Sequence, residues 1–83
     1  MRKKENYKID QFEHSIVSVI SSNGSGSVDQ VHTFLKGHPY LDVMRSIHKL
    51  CMHGFLIQKH IEGIAYYQLS SAMRIEAIAE NDV

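Results

Sequence analysis

Eighty-three residues bound the chain to one small domain, enough for a single modest core and too few for a cleft between domains. Hydrophobic residues make up 43% and charged residues 22%, a globular balance rather than that of a disordered chain. Nine Lys and Arg against nine Asp and Glu exclude a strongly basic or acidic character overall, and no stretch approaches the ~20 apolar residues of a membrane span.

The chain opens on a polar leader, residues 1–8, in which Arg2, Lys3 and Lys4 precede no apolar run, so no signal peptide is expected. A first helix is predicted from about Ile9 to Ser22, with Phe12, Ile16, Val19 and Ile20 as its apolar stripe. Asp10 and Glu13 read as no more than a pair on one helix face. The run Ser21–Ser22–Asn23–Gly24–Ser25–Gly26–Ser27 reads as a flexible stop with too little bulk to pack. Ser27 is suited to cap a second helix to about Lys36, with the Gln30 amide completing the capping box and Val28, Val31, Phe34 and Leu35 facing inward. Pro39 then biases His38 away from helical geometry.

A third helix is expected over Leu41–His53, since Val43, Ile47 and Leu50 share one face. Gly54 falls where a helix end needs left-handed geometry. Periodicity then switches to that of strands, and the two β-rich runs of Ile57–Leu69 fold back at Glu62–Gly63 as a hairpin. A last helix is predicted over roughly Ser71–Ala79, giving the divisions 1–8, 9–69 and 70–83. Single Cys51 cannot form an internal disulfide, which fits a reducing, cytoplasmic setting.

The order helix, Gly, hairpin resembles the recognition helix and wing of a winged-helix domain. Small bacterial regulators of that family often carry an apolar-x-x-Leu-x-x-x-Gly-Leu-Ile run at this junction. Ile47, Leu50, Gly54, Phe55 and Leu56 fall on it, with Phe55 in place of the usual Leu. Tyr66, Tyr67 and Leu69 match the Tyr–Tyr–x–Leu that tends to end the second wing strand. The resemblance covers about Ile9 to Leu69 and implies an α+β winged helix-turn-helix: three helices, a hairpin wing and a C-terminal helix.

It further implies a DNA-binding transcriptional regulator, with the third helix in the major groove and the wing on the backbone. With Val43, Ile47 and Leu50 inward, Asp42, Arg45, Ser46, His48 and Lys49 are left outward or lateral. Arg45 falls where related helices often aim an Arg at the groove, and Arg is the best bidentate reader of guanine. Ser46 and Lys49, with Lys59 and His60 on the wing, are candidate phosphate contacts, and Tyr40 lies beside them. Asp42 opposes the DNA backbone unless it accepts from a cytosine amine; it is equally suited to capping the third helix. Lys36 to Ile61 holds four basic residues against one acid, whereas Glu62 onward holds one against four.

Few phosphate contacts imply weak binding by one copy. Ala72, Met73, Ile75, Ile78 and Ala79 are rich in apolar bulk, and they either cover the core or form a homodimer seam with the first helix. A metal site built from Cys51, His53 and His48 or His60 lacks regular ligand spacing, so no metal or other cofactor is expected. The histidines leave a pH switch open as a second hypothesis, with a protonated His48 or His60 strengthening phosphate contact. Catalysis is not expected, because Cys51 and His53 are two apart on a helix and do not face each other. The alternative to DNA binding is a protein-interaction module docking through Tyr40, Asp42 and the neutral surface.

Overall fold

The computed structural model describes residues 8–71. It is an α+β fold of three helices and an antiparallel hairpin: α1 (Gln11–Asn23), α2 (Val28–Phe34), α3 (Tyr40–Met52), β1 (Leu56–Ile61) and β2 (Ile64–Leu69). The expected C-terminal helix lies outside the described residues, apart from Ser71. Among the described residues no helix is long and apolar enough to cross a membrane.

Local chemistry sets the helix boundaries. Asp10 caps α1: its Oδ1 accepts from the Glu13 amide at 2.7 Å, while its own amide donates to Glu13 Oε1 at 3.0 Å. That reciprocal box starts α1 two residues after Ile9 and replaces the expectation of a simple surface pair. Ser27 and Gln30 form the same box on α2, as their spacing predicted. Pro39 caps α3 with no side-chain bond, so Asp42 sits in the first turn and does not cap it; its carboxylate there still favours the helix dipole.

Gly54, at φ 84°, ends α3 in a Schellman motif. Its amide donates to the Cys51 carbonyl at 3.0 Å, and the Phe55 amide reaches back to Leu50 O at 2.9 Å. Phe55 and Leu50 both enter the core, which is the apolar contact that accompanies this motif. The hairpin closes through Glu62 and Gly63 at φ 52° and 81°, a pair of left-handed residues whose twist matches that of the strands. Register runs from Leu56 opposite Leu69 to Ile61 opposite Ile64.

Ile16, Ile20, Val31, Val43, Ile47 and Leu50 are fully buried, joined by Phe55, Leu56 and Tyr67. Each large aliphatic side chain there contributes about 1.5–3 kcal/mol of burial. Two expectations fail. Phe34 is 61% exposed and lies beside Val19 and Tyr66 in an open groove instead of facing inward, because α2 ends there and only Val31 reaches the centre. The Gly/Ser stop also packs: Gly26 and Tyr67 exchange backbone hydrogen bonds at 2.9 and 2.8 Å, adding a third, one-residue rung to the hairpin.

Candidate nucleic-acid interface

α3 is amphipathic, and burial of Val43, Ile47 and Leu50 determines what it shows to solvent. Leu41, Arg45, His48 and Met52 follow one another at four, three and four residues and form its outermost stripe. Arg45 is exposed, and no ion pair or hydrogen bond holds its guanidinium among the described residues. His48 is exposed with its ring 6.5 Å from that of Tyr67, so it borders the hairpin.

The flank of α3 facing α1 carries Asp42, Ser46 and Lys49. Together with Phe12, His38 and Arg45 they line an open groove of about 430 Å³. Ser46 is half-buried there. The rings of Phe12 and His38 lie 4.4 Å apart, tilted by 39°, across one end. Lys49 is committed in part to the protein itself, its Nζ lying 3.8 Å from Glu13 Oε2. Glu13, only 2% exposed, is thus shared between the α1 cap and α3. A phosphate at Lys49 has to compete with that carboxylate.

Tyr40, at the first turn of α3, is turned toward α2. Its phenol donates to Asp29 Oδ1 at 2.8 Å, and His32 meets its ring edge-on at 5.4 Å. The bond to Asp29 holds the phenol above its ordinary titration range, with desolvation and the carboxylate charge adding to it. Tyr40 therefore fastens α3 to α2 and is removed from the outermost stripe.

The two wing candidates separate by strand parity. Lys59 shares the outer face of the hairpin with the exposed Ile57, Ile61 and Ile64. His60 lies on the opposite face with Gln58 and Tyr67, the face that turns toward the core and His48. Gln58 Nε2 lies 3.3 Å from His60 Nε2. Gln58 was not singled out among the sequence candidates, although the alternation that buries Leu56 also places Gln58 on the α3 side. His48 thus borders the hairpin face that carries Gln58, His60 and Tyr67, and Lys59 lies on the other face.

Cys51 is half-buried, and burial pushes its thiol up; burial raises the Tyr67 phenol as well, with the charge of Cys51 a lesser cause. Neither group is primed for nucleophilic chemistry. No group of three or more His, Cys, Asp or Glu among the described residues is placed to hold a metal ion. The chain matches no protein-family model and no curated protein sequence.

Proposed function

We propose that this chain is a small DNA-binding transcriptional regulator of winged helix-turn-helix type. In this proposal α3 enters the major groove and the β1–β2 hairpin lies along the backbone. The observation that carries it is the exposed Arg45 guanidinium at the centre of the outward stripe of α3, held by no ion pair or hydrogen bond among the described residues, with a tight hairpin beside α3 that exposes Gln58 and His60. An exposed Arg is suited to bidentate contact with a guanine edge, and a helix of these dimensions fits the major groove. His48, Gln58 and His60 then face the backbone, while Ser46 and Lys49 form a lateral phosphate contact. So few cations make a shallow salt dependence and weak binding by one copy, so a two-copy assembly with α3 helices about one DNA turn apart is part of the proposal.

A second function has its own support. Leu41 and Met52, 53% and 81% exposed, bracket Arg45 and His48 on the same stripe, and apolar ends of that kind suit a protein partner. A mobility-shift titration with mixed duplex DNA at two salt concentrations separates the two. Binding that weakens with salt and is lost in Arg45→Ala supports the DNA function. No shift at low salt from a folded protein transfers the assignment to protein docking.

A further inference from the structure

The fold closes one edge of the hairpin and leaves the other open. Tyr67 spends its amide and carbonyl on Gly26, away from β1, while the Ser70 amide donates toward β1, to the Phe55 carbonyl at 3.0 Å. These contacts fix the alternation of the antiparallel ladder. Ile57, Lys59 and Ile61 bond across to Gln68, Tyr66 and Ile64, so the amides and carbonyls of Leu56, Gln58 and His60 point to the outer edge of β1. Leu56 is buried, whereas Gln58 and His60 are exposed. Among the described residues no bridge flanks that edge, and no proline or bulge blunts it.

The outer face of the same strand carries Ile57, Lys59 and Ile61, with Ile64 beside Ile61, all exposed. A two-stranded ribbon is marginal by itself, and further strands stabilise it. The edge is complementary to itself. With Gln58 opposite the second copy's His60, both outward residues pair through amide and carbonyl about a twofold axis at Lys59. Ile57 then faces the second copy's Ile61 on either side of that axis, at the closely spaced positions of the ladder. A register shifted toward Leu56 meets buried backbone. One shifted toward the turn meets Glu62, whose φ of 52° is not that of a strand. Lys59 facing its own copy is the opposing contact, and the zero net formal charge of the chain adds no wider repulsion.

We infer that two copies pair antiparallel through their β1 edges, Gln58 against His60, into one continuous sheet. A twofold axis perpendicular to that sheet leaves both α3 helices on the same side of it. The pairing stands on backbone geometry. Its use on DNA rests on the proposed function, for which it supplies the two-copy assembly.

The test is sedimentation velocity of the full chain without DNA, over a concentration series and at two salt concentrations. The expected result is a reversible dimer that tightens with salt, as Lys59 is screened from its copy. It predominates at the concentrations of an NMR sample, so the seam is complete before any duplex is added. The Gln58 amide is unused within the hairpin, so Gln58→Pro keeps the hairpin amides in place and abolishes the dimer. Lys59→Glu alone pairs as weakly as the parent. An equimolar mixture of the two sets Lys opposite Glu and associates on the order of 5-fold more tightly than either alone. A monomer at every concentration overturns the inference and leaves the edge to a different chain. A dimer that survives Gln58→Pro, or a mixture no tighter than its components, overturns it by placing the seam elsewhere. A dimer that shifts no DNA refutes the DNA function and leaves the pairing intact; DNA binding by a chain that never dimerises does the reverse.

Discussion

Replacing Glu13 with alanine removes a carboxylate that serves two helices from a nearly buried position. The Asp10 amide loses a charged acceptor at 3.0 Å, a bond worth about 1.5–3 kcal/mol. Loss of one buried methylene adds ~0.8 kcal/mol. The Lys49 contact adds little, because that side chain is 54% exposed and the separation is 3.8 Å; after solvent screening it contributes at most about 0.5 kcal/mol. Together these predict a loss of about 2–4 kcal/mol for Glu13→Ala, or roughly 8–32 °C in Tm for a domain of this size. Glu13→Gln keeps an acceptor oxygen and the stem, and is expected to cost about 0.5–1.5 kcal/mol. Lys49→Met is expected to cost less than about 1 kcal/mol. Urea denaturation followed by circular dichroism ranks the three. A Glu13→Ala variant as stable as the parent, or a Lys49→Met variant as costly as Glu13→Ala, refutes the assignment of Glu13 to the α1 cap.

Other perturbations address the turns and the buried acids. At Gly54 an added Cβ meets nothing within 4 Å, so Gly54→Ala isolates backbone strain and should cost about 1–2 kcal/mol in chemical denaturation. Glu62→Asn, placing a better left-handed residue before Gly63, should stabilise by about 0.5–1 kcal/mol in the same assay; a loss of stability counters the turn assignment. Burial raises both the Cys51 thiol and the Tyr67 phenol, so the unfolded chain ionises first. Stability is therefore intact below the unfolded values and declines as pH rises through ~8.5 and then ~10 toward the higher folded values. Melting curves at neutral and alkaline pH should show that decline, and a Cys51→Ala, Tyr67→Phe variant should flatten it.

What could be read from the residues was local. Gly54, Ser27 with Gln30, and Glu62–Gly63 announce their turns and caps through chemistry confined to a few neighbours, and the structure follows them. The buried stripe of α1 was partly legible: Glu13 lies three and four residues before Ile16 and Val17, on the same face, yet its charge masked its membership. Non-local facts were not legible. The Gly26–Tyr67 rung joins residues far apart in sequence, and Phe34 is exposed because of where α2 ends against its neighbours. The site divided in the same way. The outward position of Arg45 follows from helical period alone, whereas the tether of Tyr40 to Asp29 and that of Lys49 to Glu13 depend on tertiary approach. The opposite faces of Lys59 and His60 follow from strand alternation once Leu56 is known to face inward.

The central claim is that one side of the molecule, α3 with the hairpin face that carries Gln58 and His60, receives DNA. Amide and side-chain shifts of the isotope-labelled protein, titrated with a short duplex, test it most directly. The account predicts shifts concentrated at Arg45, His48, Gln58 and His60, with Ile57 and Ile61 on the outer hairpin face unmoved. Shifts centred on the outer hairpin face, or none at low salt from a folded protein, contradict it.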